Sequence, residues 1–170
     1  MKHWILAGNS PKEYAIGRDD VAIYEGKKTA YLKFTAADKE PSGFGTLMQS
    51  FKADLYREKR LCFAASVKSE NVSEWAGLWM RVDGKSKEET LEFDNMQGRA
   101  IKGTTEWQTC KVVLNVPKEA DSVHFGILLG GKGQVWIAGA QVEEASPDEP
   151  TTDGKINLPD KPGNLDFSED

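Results

Sequence analysis

The amino-acid sequence predicts an all-β fold, a β-sandwich of about nine short strands. Three observations carry that expectation. Apolar side chains alternate with small or polar ones through most of residues 1–145, a period of two. Turn residues such as Pro41-Ser42-Gly43, Asp83-Gly84 and Gly130-Gly131-Lys132-Gly133 cut the alternation into strand-sized pieces. Helical periodicity is nearly absent, and the one weak candidate, near Ala53–Glu58, is short enough to be a turn.

In chain order, VAIYEG (21–26) and TAYLKFTA (29–36) read as a hairpin across Lys27-Lys28. FGTLMQSFKA (44–53) follows the Pro-Ser-Gly turn. RLCFAASVKS (60–69) sets Leu61, Phe63, Ala65 and Val67 on one face and Cys62, Ala64, Ser66 and Lys68 on the other. EWAGLWMRVD (74–83) closes at Asp83-Gly84, a strong turn signal. TLEFDNMQ (90–97) ends at Gly98. WQTCKVVLNVP (107–117) stops at Pro117, with Cys110, Val112, Leu114 and Val116 in the core phase. SVHFGILLG (122–130) and QVWIAGAQVEEA (134–145) flank the glycine-rich turn. Residues 1–145 thus read as one sandwich domain. Residues 146–170 hold four of the seven prolines, many acidic groups and few large apolar ones. That stretch offers too little apolar surface to offset its ordering entropy, so a flexible tail is expected. A docked stretch around Ile156 and Leu158 stays open.

Composition narrows the function. At 170 residues, 39% hydrophobic and 29% charged, the chain suits one globular domain with its own core. A net charge of −5 argues against nucleic acid, whose phosphates demand a basic footprint. No apolar run approaches the roughly 20 residues that span a bilayer, and the N-terminal patch Trp4–Ala7 is too short for a secretory signal. Two cysteines with no CxxC pair cannot make a metal site alone. Cys62 and Cys110 fall on opposite sheet faces, so free thiols and a reducing, cytoplasmic compartment are expected.

The stretch WAGLWMRVD (75–83) carries the functional signal. Ala76, Leu78, Met80 and Val82 form its core phase. The other phase is Trp75, Gly77, Trp79, Arg81 and Asp83. In 122–130 the outward phase is His124, Gly126, Leu128 and Gly130. Small residues beside large aromatics make a hollow, and the outward phase of 60–69 is expected to help floor it. Indole faces suit the C–H faces of sugars, and planar polar groups suit vicinal hydroxyls. The candidate ligand-binding residues are therefore Trp75, Trp79, Arg81, Asp83, Asn95 and Gln97. The duller reading has both indoles covered by a loop and Arg81–Asp83 as an ion pair of little consequence.

Other features weigh less. The polar connection 94–107 reads as a solvated loop that could rim a groove. Trp107 and Trp136 read as packing residues. A Cys62–His124 nucleophile and base has nothing to bring it together. Asp83, Glu92 and Asp94 lie on neighbouring segments and leave paired-carboxylate glycoside hydrolysis open. There is no P-loop, no GxGxxG and no metal-ligand spacing.

Three stretches carry a resemblance: GFGTLMQSFKADLYREKRLCFAASVKS, WAGLWMRVDG and TTEWQTCKVVLNVPKEADSVHFGILLGGKGQVWIAGAQVEE. Over about residues 43–145 they resemble carbohydrate-binding modules with the galactose-binding-like jelly roll. The final two strands match best. The chain also resembles small bacterial proteins loosely grouped with transcriptional regulators, although it holds no helix-turn-helix pattern. The resemblance implies a jelly-roll sandwich of a type that binds sugars, serves as an inert accessory domain or mediates contacts between proteins. Many such modules hold a structural calcium. Ala138 and Gly139 stand where the pattern has Asp, which weakens that expectation, and no cofactor is expected. Non-catalytic binding of a neutral saccharide is the leading expectation. A ligand-free interaction or sensor domain, whose hollow face pairs with another protein or a second copy, is the alternative. The carboxylate hydrolase ranks third.

Overall fold

The computed structural model describes residues 1–86, 88–156 and 161–168. Among these, nine strands pair into one continuous antiparallel sheet that folds over itself into two layers. They are β1 (Ile5–Gly8), β2 (Tyr14–Tyr24), β3 (Lys27–Phe34), β4 (Phe44–Lys52), β5 (Arg60–Asp83), β6 (Thr90–Asp94), β7 (Ile101–Asn115), β8 (Ser122–Gly130) and β9 (Gln134–Glu144).

The long strand β5 creates the two layers. Its first half, 60–70, pairs with β7 and β9, and its second half, 75–83, pairs with β8 and β6. One layer therefore runs β1-β4-β8-β5-β6 and the other β7-β5-β9-β3-β2. The expected break between 60–69 and 74–83 is a bend within this strand. Asn71 takes φ of 52°, a left-handed conformation that Asn tolerates. Ser73 pins the bend: its Oγ accepts from the Lys132 N–H at 2.8 Å, and its own N–H donates to the Lys132 carbonyl at 3.1 Å.

Each layer turns its apolar phase inward. Leu61, Phe63, Val67, Leu78, Met80, Val82, Ile127 and Leu129 are all 0% exposed. At roughly 1.5–3 kcal/mol for each large side chain so buried, this core supplies the main stabilisation. Phe63 meets Phe125 edge-on at 4.9 Å, and Trp4 covers the other side of Phe125 at 5.6 Å.

Several boundaries differ from expectation, each for a local reason. β2 begins at Tyr14, not Val21, because Tyr14 and Ile16 pack against the core and the strand pairs with β3 from Tyr14↔Phe34 to Asp19↔Thr29. The hairpin turn is Glu25-Gly26, two residues before Lys27-Lys28. Both residues have positive φ, 48° and 71°, as a two-residue turn matched to strand twist requires. β1 is a four-residue edge strand with no alternation to reveal it. The 94–107 connection is a loop only to Ala100, since Ile101, Gly103 and Thr105 pair with the bent part of β5. The weak helical candidate is a 3-10 turn, Ala53–Leu55.

After β9 the chain stays on the sandwich. Arg60 Nη1 donates to the carbonyls of Pro147 (2.8 Å) and Glu149 (2.5 Å). Thr152 donates its N–H to the Val113 carbonyl at 2.9 Å, and Val113 N–H donates to Thr152 Oγ1 at 2.8 Å. Residues 147–152 thus lie along the free edge of β7, held by polar bonds that hydropathy does not register. Ile156 is 85% exposed, and Leu158 lies outside the described residues.

Candidate functional site

The outward face of the first layer is hollow. Cross-strand register sets Gly130 between Phe44 and Trp75, Leu128 between Thr46 and Gly77, and Gly126 between Met48 and Trp79. Each glycine of β8 leaves space beside an indole. The result is a groove of about 470 Å³. It follows the strands from Trp75 to Arg81, about 20 Å at 3.3 Å per residue.

Trp75, Trp79, Arg81 and Asn95 line this groove together. Trp75 is half-buried and Trp79 is 7% exposed. Trp79 Nε1 donates to Thr46 Oγ1 at 2.8 Å, and that hydroxyl donates to the Ile127 carbonyl at 2.8 Å. The indole N–H is therefore satisfied beneath the groove while the ring contributes to its wall. Arg81 Nε faces Asp83, with Oδ1 at 2.8 Å and Oδ2 at 3.0 Å. The terminal nitrogens of Arg81 have no protein partner among the described residues and remain open to a ligand. Asn95 arrives on the turn after β6. That turn sits on Gly77, where a Cβ would lie 3.0 Å from Met96 Cβ and 3.1 Å from the Asn95 carbonyl.

Asp83 and Gln97 are not among the lining residues. Asp83 is 8% exposed, behind Arg81, and its Oδ2 lies 3.2 Å from His124 Nε2. His124 Nδ1 lies 2.6 Å from Ser50 Oγ, and Nε2 lies 3.0 Å from Ser122 Oγ. Burial lowers the His124 pKa and Arg81 adds to the effect, against the opposing charge of Asp83. Gln97 is exposed on the 3-10 turn Gln97–Arg99.

Residues not singled out from sequence complete the groove. Phe93, 44% exposed, stands opposite Arg81 and presents a third aromatic face. The alternation of TLEFD hides that signal: Phe93 shares a phase with Leu91, which packs against the core, and only the register shift between Val82↔Glu92 and Asp83↔Thr90 brings Phe93 to the Arg81 side. Phe44, Thr46 and Met48 enter from β4, a strand whose pairing partner sequence does not name. At the Trp75 end, Tyr14 donates its hydroxyl to the carbonyls of Gly43 (3.0 Å) and Gly131 (2.8 Å). Burial pushes its pKa up to about 12.

The expected floor from 60–69 is a correction. The β5 bend carries Cys62, Ala64, Ser66 and Lys68 into the other layer, away from the groove and from His124. Both cysteines are free thiols. Trp107 stacks on Tyr24 at 4.9 Å, and Trp136 Nε1 donates to Asp19 at 2.8 Å, both in the second layer. Glu92 pairs with Lys155, and Asp94 with Arg99 at 2.6 Å. Among the described residues no group of three or more His, Cys, Asp or Glu side chains is placed to hold a metal ion. Ala138, paired with Thr29 and Ser66, offers no carboxylate for calcium. No helix among the described residues is long and apolar enough to cross a membrane.

A two-layer antiparallel sandwich with a grooved outer face is the jelly-roll fold of carbohydrate-binding modules, and solved structures bear this out. A CBM22-1 xylan-binding domain of Paenibacillus barcinonensis Xyn10C superposes with a TM-score of 0.58 at 14% identity, over 84% of this chain and 86% of that one. A CBM4 structure gives 0.55 at 15% identity, over 84% and 86%. The enzymatically active domain of the bacteriophage CBA120 tailspike protein 4 gives 0.63 at 10% identity, over 85% of this chain but 20% of that one. At these identities the likeness is one of fold. No protein-family model matches the chain. By sequence it is similar to an uncharacterized HTH-type transcriptional regulator of Bacillus subtilis (strain 168), YbfP. The two are 40% identical over 172 residues, covering this whole chain and 58% of that protein.

Proposed function

We propose that the chain is a non-catalytic binding domain for a neutral saccharide. Trp75 and Phe93 supply exposed ring faces, and Trp79 backs the groove between them. The open edge of Arg81 and the Asn95 amide reach sugar hydroxyls. Asp83 serves indirectly, holding the guanidinium by its Nε edge so that its outer nitrogens face the ligand. The observation that carries this reading is the meeting of Trp75, Trp79 and Arg81 in one groove of about 470 Å³. The fold likeness supports it, since the neighbours include xylan-binding modules. Free thiols at 62 and 110 suit a reducing, cytoplasmic setting.

Calorimetric titration with xylohexaose, present in the structure of the Clostridium thermocellum Xyn10B CBM22-1-GH10 modules, and with a panel of neutral oligosaccharides tests the reading. Wild type binds at least one of them, and Phe93→Ala and Trp75→Ala each weaken binding about tenfold or more without lowering thermal stability. Full binding by both variants removes the groove from the reaction.

The similarity to an HTH-type regulator favours a second reading, a sensor or interaction domain that works as part of a longer protein. Saccharide binding and sensing are compatible. An absence of binding across the panel leaves only interaction. The hydrolase reading is weaker, because Asp83, Glu92 and Asp94 are each already paired with a cation of the chain.

A further inference from the structure

We propose that Asp94 is a positioning residue for the groove, and that through it ligand binding is coupled to docking of the segment 147–155. Asp94 is 8% exposed and sits where β6 ends. Its Oδ1 accepts the Met96 N–H at 3.0 Å and Arg99 Nη1 at 3.3 Å. Its Oδ2 accepts Arg99 Nη2 and Thr152 Oγ1, both at 2.6 Å. One carboxylate therefore fixes both ends of the 94–99 turn and one point of the C-terminal segment.

The inner side of that turn is the groove wall. Asn95, between Asp94 and Met96, lines the groove, and Met96 lies over Gly77. Met96 holds φ of 59°, a left-handed conformation costly for its side chain. The Asp94 bond to its N–H helps hold it there. The outer side of the turn is the docked segment. Thr152 bridges Asp94 to the Val113 backbone, Glu149 pairs with Lys111, and Lys155 pairs with Glu92. Arg99 closes the corner by donating to the Lys111 carbonyl at 2.9 Å.

Hydrogen bonds to a shielded carboxylate are charge-assisted and hold geometry better than surface pairs. Releasing the segment strips Thr152 from Asp94 Oδ2 and opens the carboxylate to water. The 94–99 turn then loosens, and Asn95 with it. Coupling of this kind is reciprocal. A ligand that orders Asn95 tightens the segment by the factor by which the segment tightens the ligand. In this way occupancy of the groove becomes readable at the opposite face of the β6–β7 corner, outside the groove.

Hydrogen exchange on the full chain tests the proposal without a ligand. Thr152→Val is expected to speed exchange about tenfold or more in both 147–155 and 94–99, with β8 amides unchanged, and Thr152→Ser to restore both. Arg60→Met, which releases the Pro147 and Glu149 carbonyls at a residue that makes no bond to Asp94, is expected to speed the same two segments together if Thr152→Val fails to fold. Release of 147–155 with exchange at 94–99 unaltered, in either variant, overturns the proposal. The ligand arm alone rests on the saccharide reading. If xylohexaose binds wild type, it slows exchange at 147–155 and Thr152→Val weakens it; binding that leaves 147–155 unaffected also overturns the coupling. If no saccharide binds, that reading fails while the exchange result still decides this one.

Discussion

At the scale of single residues, hydrogen-bond partners decide which groove residues are informative to change. Trp79 is bound through its N–H to Thr46 and is nearly buried. Trp79→Ala is therefore expected to cost about 3–5 kcal/mol and to lose binding through unfolding. Trp75 and Phe93 are the residues that separate binding from stability. Thr46→Val leaves the Trp79 N–H without an acceptor and is expected to cost about 1–3 kcal/mol, read as a lower urea midpoint at unchanged slope. Thr151 is the reverse case: its hydroxyl is buried with no hydrogen-bond partner among the described residues. Thr151→Val is expected to stabilise by about 1 kcal/mol in the same measurement. Alternation alone put Trp75, Trp79 and Arg81 on one face, because a strand leaves a side chain no other choice. The same alternation offered the Arg81–Asp83 pair, but it could not tell that His124 joins it. That depends on which residue β8 sets opposite Arg81.

At the scale of elements, β8 shapes the groove by what it lacks. A Cβ on Gly126 would lie 2.2 Å from the Leu47 carbonyl oxygen of β4. Gly126→Ala must push β4 and β8 apart, with an expected cost of about 1–3 kcal/mol and an altered Trp fluorescence maximum. The same strand carries His124, wedged between Ser50, Ser122 and Asp83. Its pKa is lowered in the folded chain, first by burial. The unfolded chain then binds the proton more readily, so the contribution of this group is complete above about pH 6.5 and falls as pH drops towards the folded value. Thermal denaturation across pH 5–8 is expected to reveal that slope, and His124→Gln to flatten it. Strands with regular alternation were legible as elements. β1, the first half of β2 and the start of β7 were not, because each offers only one or two apolar side chains to the core, too few to show a period, and is held largely by pairing.

At the scale of the whole molecule, the C-terminal segment and the groove rim meet at Asp94. Burial raises the pKa of that carboxyl, but the bonds from Arg99, Thr152 and the Met96 N–H outweigh it, and the net shift is downward. Its contribution is present above the unfolded value of about 4 and is lost as pH falls through the lower folded value. Exchange at 147–155 is accordingly expected to rise below about pH 4 while the β8 core stays protected. The all-β class, the inward phase of most strands and the row of Trp75, Trp79 and Arg81 were legible in the order of amino acids alone, since these follow from a period of two. Which strands adjoin became visible only in the folded chain. The bend at Asn71 sends the two halves of β5 into different layers, placing β4, β8 and β6 beside the tryptophans and moving Cys62 to Lys68 away. Period-two patterning records which face is buried, not which neighbour covers it. A groove is a property of neighbours.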